Sequence, residues 1–180
     1  EMDVAVLGAG SWGTAIAILL ARNGLEVGLY GRNEEEIAFM RSNRENVHYL
    51  PGFAIPKGVT FLPLSEATSV PMTVVAVPSG AVREVIRQLE GEHPLFVLAS
   101  KGMENTTGLL PAEVVQEVHP GSEVAVISGP NLAVEIVRGI PTAAIAACAD
   151  PVYADRVRSA FMCSSYRVYC SSDVIGVEVA

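Results

Sequence analysis

Residues 3–13 read Asp3-Val4-Ala5-Val6-Leu7-Gly8-Ala9-Gly10-Ser11-Trp12-Gly13, an apolar run that breaks at a glycine and then meets two more in quick succession. A short buried strand, a glycine turn and the first turn of a helix account for the whole stretch. Each glycine answers its own steric demand. Gly8 permits a tight turn, Gly10 leaves the backbone bare where an anion approaches, and Gly13 lets the helix pack close to the strand. A helix starting at Ser11 presents N–H groups without intrahelical acceptors and a positive partial charge, which together suit a diphosphate. The pattern alone is common. At the first strand-to-helix turn of an alternating chain it points to a dinucleotide.

That alternation continues outward from the turn. β-Branched runs predict strands over Asp3–Leu7, Glu26–Tyr30, Val59–Leu62, Met72–Val77, Leu95–Ala99, Val124–Ile127, Thr142–Ala147 and Tyr166–Cys170. Apolar spacing near 3.6 predicts helices over Ser11–Asn23, Glu34–Arg41, Val82–Leu89, Pro111–Val118, Asn131–Arg138 and Asp150–Met162. Gly24 sits where a helix ends, and Pro78 where one begins. Residues Ser42–Gly58, with Pro51, Gly52, Pro56 and Gly58, read as an irregular excursion. Buried strands alternating with helices imply an α/β protein with a mainly parallel, doubly wound sheet and helices on both faces. Residues 1–170 form the cofactor-binding domain in this reading, and residues 171–180 begin another helix that leads onward.

Composition narrows the function. Of 180 residues, 50% are apolar and 18% charged, which excludes a disordered chain. A net charge of −8 argues against a nucleic-acid partner. Cys148, Cys163 and Cys170 lack a CxxC spacing and read as reduced thiols, while His48, His93 and His119 lack metal-ligand spacing, so no metal is expected. No leader pattern and no apolar run of bilayer length occurs, so a cytoplasmic protein without membrane insertion is expected.

Ligands of open α/β sheets lie beyond the carboxyl ends of the strands. The second strand ends in Leu29-Tyr30-Gly31-Arg32-Asn33, with no carboxylate there to accept from ribose hydroxyls. Arg32 suits a 2′-phosphate, so NADP(H) is the preferred cofactor in this reading and NAD(H) a usable one; the alternative is an arginine pointing into solvent. Val77-Pro78-Ser79 reads as a helix start. Lys101, directly beyond a buried strand, is either an exposed loop charge or a ligand-facing cation. In Ser128-Gly129-Pro130-Asn131-Leu132-Ala133, a second turn into a helix presents N–H groups to an anionic or polar ligand, unless it is a plain connection.

Read together, these segments resemble the NAD(P)-dependent glycerol-3-phosphate dehydrogenase family. The resemblance rests on GAGSWGTA from Gly8, SKGME from Ser100, SGPN-L-A-x-E from Ser128, GIPTA from Gly139, and RVYCSSDVIGVEVA from Arg167. It implies a Rossmann domain in which Gly8, Gly10, Ser11, Trp12, Gly13, Arg32, Lys101 and Ala133 bind the dinucleotide. It implies that Lys101 also contacts substrate, orienting it electrostatically, with Gly129 and Asn131 lining the glycerol 3-phosphate site. Asn131 stands where many relatives carry Ser or Thr.

The implied reaction is reversible hydride transfer between sn-glycerol 3-phosphate and dihydroxyacetone phosphate, which supplies glycerol 3-phosphate for phospholipid synthesis. In the family a general acid/base Lys follows shortly after the segment matching Ile175–Ala180, at the entry to an all-helical substrate domain. That domain is absent from these residues, so this chain alone is expected to bind cofactor without turnover, and to expose apolar surface around Val168–Ala180. A homodimer is admissible for the full-length protein. Two rivals stay open: a two-domain 3-hydroxyacid or 6-phosphogluconate type dehydrogenase, and a non-catalytic dinucleotide-sensing module.

Overall fold

The computed structural model describes residues 1–180. Strand β1 (Val4–Leu7) is buried at every position, as a central strand covered on both faces must be. It is flanked by β2 (Val27–Gly31) and β4 (Met72–Val75), both parallel to it. The sheet is completed by β3 (Val59–Pro63), β5 (Leu95–Leu98), β6 (Glu123–Ser128), β7 (Thr142–Cys148) and β8 (Tyr166–Ser171). Its order is β3-β2-β1-β4-β5-β6-β7-β8, with every neighbouring pair parallel except β6 and β7.

The two-residue strand period separates the core into layers. Val4 and Val6 join one layer with α1 (Ser11–Arg22), α2 (Glu34–Asn43), α5 (Ala133–Val137) and α6 (Pro151–Phe161). Ala5 and Leu7 join the other with α3 (Val82–Arg87), α4 (Pro111–Val118) and α7 (Val174–Val179). The expected helices on both faces are therefore present.

Local signals explain the helix ends. Gly24 takes φ +92° just after α1, a conformation that glycine enters without strain. Asn33 caps α2 by accepting from the Glu36 N–H at 3.1 Å, and three glutamates occupy that helix's first turn, where the macrodipole favours them. Asp150 caps α6 and Asp173 caps α7 in the same way.

Several boundaries differ from the sequence reading. β4 stops at Val75 instead of Val77, and beyond it the buried Ser100 hydroxyl lies within hydrogen-bond reach of the Val75 and Val77 carbonyls. A 3-10 turn over Ser79–Ala81 then precedes α3. Helix α5 begins at Ala133, not Asn131, whose N–H is turned back on the Gly129 carbonyl at 2.8 Å. β7 runs against β6. Helix α5 rises only about 7.5 Å against roughly 20 Å for β6, so the chain re-enters the sheet from the end it has just left.

The last helix, α7, packs on β6 and β7 with Val177 buried, while Tyr169, Ile175 and Val179 are exposed. Glu178 Oε2 accepts from the Ala112 N–H at 3.0 Å, and its other oxygen is buried without a partner. Burial lifts this carboxyl above its ordinary range, and nearby Glu113 adds to that against the Ala112 hydrogen bond.

Candidate functional site

The strand order reverses direction between β1 and β4, and a crevice opens beyond their carboxyl ends. A cleft of about 500 Å³ lies there, lined among others by Gly8, Gly10, Gly31, Arg32, Ala76 and Pro78. The first glycine turn forms its floor. Gly8 has φ +112°, and a Cβ on it would stand 2.8 Å from the Ala76 carbonyl oxygen. A Cβ on Gly13 would fall 1.8 Å from the Gly8 carbonyl oxygen. Around Gly10 the situation is opposite, since a Cβ there would meet nothing within 4 Å. The turn is thus closed on its protein side and open on the other.

Helix α1 has no side-chain cap, and its first backbone bond is Thr14 N–H to the Gly10 carbonyl at 3.0 Å. The N–H groups of Ser11, Trp12 and Gly13 precede that bond and are free for an anion. This donor set fits a dinucleotide diphosphate: bare backbone, unpaired N–H groups and the positive end of a twelve-residue helix. Ser11 is exposed and Trp12 half-buried against the core.

One residue that holds this turn carries no signal in sequence spacing. Asn46, only 5% exposed, reaches in from the excursion and donates from Nδ2 to the Ala9 carbonyl at 3.0 Å and to Thr14 Oγ1 at 2.9 Å. Its Oδ1 accepts from the Tyr49 N–H at 3.3 Å, and Tyr49 itself lines the cleft. The excursion is therefore a clasp on the glycine turn. Asn46→Ala leaves two acceptors without their donor and is expected to cost about 1–3 kcal/mol of stability. Urea denaturation measures this; an unchanged midpoint would show that the clasp contributes nothing.

At the far end of the cleft, Arg32 is half-exposed and its Nη2 lies 3.6 Å from Glu84 Oε2. The strand end itself has no carboxylate, but the fold brings Glu36 and Glu84 from two helices to the rim around Arg32. Sequence reasoning confined to the end of β2 passed over both.

The remaining candidates gather beyond β5 and β6. Lys101 is exposed, with Nζ 3.4 Å from the Gly129 carbonyl oxygen. Its loop is firmly held. Glu104 accepts from Arg83 at 3.0–3.2 Å through both carboxylate oxygens and from the Thr107 hydroxyl at 2.6 Å. The hydrogen bonds from Arg83, then that from Thr107, keep the Glu104 carboxyl below its ordinary range. Since Arg83 belongs to α3, which walls the cleft through Val85, this pairing joins the Lys101 loop to the cleft above the glycine turn.

Gly129 has no room for a side chain, because a Cβ would stand 2.6 Å from the Ala143 carbonyl oxygen. Asn131 spends its amide on the sheet: Nδ2 donates to Thr142 Oγ1 at 2.6 Å and to the Ala143 carbonyl at 3.2 Å, and Oδ1 accepts from the Tyr166 hydroxyl at 3.0 Å. Ala133 is half-buried at the start of α5. Helix α5 packs alongside α1, and Arg22 at the end of α1 donates to the Val137 carbonyl at the end of α5 at 2.6 Å. The two helices therefore run side by side with their amino ends on the ligand side. Gly8, Gly10 and Arg32 line one cleft, flanked by Ser11 and Trp12, and Lys101 meets Gly129 beside Asn131.

Known proteins share this fold. A family description, the N-terminus of NAD-dependent glycerol-3-phosphate dehydrogenase, matches residues 3–154. A glycerol-3-phosphate dehydrogenase [NAD(P)+] of Pelodictyon phaeoclathratiforme is 41% identical over 99% of this chain and 56% of its own length. The enzyme of the same name from Hydrogenovibrio crunogenus is 40% identical, with 54% of its length covered. The crystal structure of glycerol-3-phosphate dehydrogenase from Coxiella burnetii superposes with a TM-score of 0.90 at 32% identity, covering 99% of this chain and 56% of that one. A UDP-D-ManNAc dehydrogenase from Pyrococcus horikoshii, at 16% identity and a TM-score of 0.76, shares the fold alone. The chain spans about half the length of the curated relatives it matches. Over that span it belongs to the NAD-dependent glycerol-3-phosphate dehydrogenase family.

Proposed function

We propose that this chain carries the cofactor-binding part of an NAD(P)-dependent dehydrogenase that interconverts sn-glycerol 3-phosphate and dihydroxyacetone phosphate. The observation that carries this reading is the bare amino end of α1, with open space at Gly10 and unpaired N–H groups beyond it. Gly8, Gly10, Ser11, Trp12 and Gly13 hold the diphosphate in this reading, Arg32 the adenosine end, and Ala133 and Lys101 the region near the nicotinamide. Lys101, Gly129 and Asn131 face the substrate. The amide of Asn131 already serves the sheet, so its remaining contribution is its backbone and one lone pair on Oδ1.

Oxidation of glycerol 3-phosphate removes a hydride from C2 and a proton from the C2 hydroxyl. When bound, the nicotinamide supplies the hydride acceptor. The Lys101 ammonium donates a hydrogen bond to the C2 oxygen and stabilises the charge that grows on it as the proton leaves. The base that takes the proton is the Lys which the family resemblance places beyond Ala180. In the reverse direction C2 gains hydride and the oxygen gains the proton, giving glycerol 3-phosphate for phospholipid synthesis. No helix is long and apolar enough to cross a membrane. Cytoplasmic residence and a homodimeric full-length enzyme complete the proposal.

Arg32 gives NADP(H) the advantage, because a guanidinium pairs with a 2′-phosphate. Calorimetric titration of the chain with NADPH and NADH tests cofactor binding and preference together. Arg32→Ala is expected to weaken NADPH binding by about tenfold to a hundredfold, the scale of one charge-assisted hydrogen bond, with NADH binding within about twofold of wild type. Failure of both nucleotides to bind the parent chain would remove the reading.

A further inference from the structure

A second hollow, of about 300 Å³, adjoins the cleft through the shared residues Gly31, Arg32 and Leu64. Its other lining groups include Ser65 and Gln88, which are neutral, and Glu34 and Glu84, which are not. Arg32 thus shares the space beyond the end of β2 with Glu34 and Glu84, and Glu36 stands beside it in the adjoining cleft; a 2′-substituent of the adenosine ribose arrives there if Arg32 binds it.

The three carboxylates stand in different relations to Arg32. Glu34 and Glu36 lie in the first turn of α2, outside ion-pair range of the guanidinium. Glu84 Oε2 lies 3.6 Å from Arg32 Nη2, within ion-pair range and too far for a hydrogen bond. No other cation neutralises Glu84. Its neighbour Arg83 is already engaged by Glu104 and Glu117 at 3.0 Å each.

The pair is also easily displaced. The Arg32 and Glu84 side chains are 52% and 70% exposed, so their attraction is screened and small. A 2′-phosphate, carrying a charge of about −1.5 to −2 like other phosphate monoesters, can take Arg32 from it. To do so it must approach a carboxylate that stays in place. A plain 2′-hydroxyl meets no such opposition.

We propose that Glu84 is a specificity-determining residue, which occupies Arg32 and opposes the 2′-phosphate so that NAD(H) stays competitive with NADP(H) in this site. The proposal rests on the reading of Arg32 as the 2′-phosphate ligand. It gives the site two opposed elements, an attractive arginine and a repulsive glutamate, and cofactor choice is set by their difference.

The test is calorimetric titration of the 180-residue chain with NADPH and NADH, comparing wild type, Glu84→Gln, Arg32→Ala and the double variant. Gln keeps the side-chain length and a good helix former on an exposed position, so the fold is retained. Glu84→Gln is expected to tighten NADPH binding about fivefold, as removal of one charge near a dianion should in a screened surface site. NADH binding is expected to stay within about twofold, and the NADPH gain to shrink as salt is raised. In the Arg32→Ala background the gain is expected to fall to about twofold, because only the direct repulsion remains.

Equal tightening of both nucleotides by Glu84→Gln would overturn the proposal as a mere effect of net charge. An unchanged NADPH-to-NADH ratio in Glu84→Gln, with a lowered ratio in Arg32→Ala, would refute the role of Glu84 and leave Arg32 standing. An unchanged ratio in both variants would remove the Arg32 reading and the proposal with it.

Discussion

Alanine at Gly13 is expected to cost the chain both stability and dinucleotide, whereas alanine at Gly10 is expected to cost the dinucleotide alone. The new Cβ at Gly13 would fall 1.8 Å from a backbone carbonyl oxygen, a contact that no rotamer change can relieve. Either α1 withdraws from β1 or the turn at Gly8 opens, and overpacking of this kind costs about 1–3 kcal/mol or more. For a chain of this size that lowers the thermal midpoint by roughly 2–12 °C. At Gly10 the Cβ meets nothing, and the residue's φ of −78° suits alanine. Stability should change by no more than about 1 kcal/mol, the scale of an N-cap substitution. Yet the methyl group would occupy the space in which a diphosphate meets the free N–H groups. NADPH binding is expected to fall by about a hundredfold, on the scale of losing those charge-assisted hydrogen bonds. Thermal melts and calorimetric titration on both variants separate the two effects. A Gly10→Ala chain that binds NADPH like its parent would place the diphosphate elsewhere.

Lys101→Ala is expected to lower kcat by about 10²–10³-fold, the scale of removing one donor aimed at a developing oxyanion. The measurement needs a protein whose polypeptide continues as the relatives' chains do. Lys101 is exposed and its side-chain hydrogen bond, to the Gly129 carbonyl, is 3.4 Å long, so the substitution should leave the thermal midpoint unchanged. Loss of rate without loss of fold is the expected signature. Lys101→Arg keeps the charge on a longer, planar group and should restore only part of the rate. A kcat within about twofold of the parent in Lys101→Ala would remove this residue from the chemistry, given the usual size of such effects.

Most of the fold was legible because strand burial and helix periodicity are local properties. The eight strand segments and the glycine turn could be read directly, and Pro111–Val118 coincides with α4. What escaped depends on contacts distant in sequence. The orientation of β7 follows from the shortness of α5, which is known only once Asn131 is seen to be held by Thr142 and Tyr166. The segment after β4 is met by Ser100, 25 residues on from Val75.

The site shows the same division. Gly8, Gly10 and Arg32 line one cleft, Gly13 lies buried behind the turn, and Lys101 Nζ lies 3.4 Å from the Gly129 carbonyl oxygen. Asn46 was invisible because a single amide in a Pro- and Gly-rich excursion has no periodic or motif context, and its partners Ala9 and Thr14 lie 37 and 32 residues earlier. Glu84 was missed because the residue it faces, Arg32, lies on another element.

The reversal of β7 has an electrostatic consequence at the other end of the chain. Because β8 follows β7 in direction, the helix after it climbs toward the ligand side, while α4 descends from there. The negative pole of α7 is thereby set against the positive pole of α4, so the two macrodipoles attract where a sheet of uniform direction would have aligned them in repulsion. The Glu178 carboxyl group sits at that junction, its Oε2 accepting from the Ala112 N–H at the amino end of α4 at 3.0 Å.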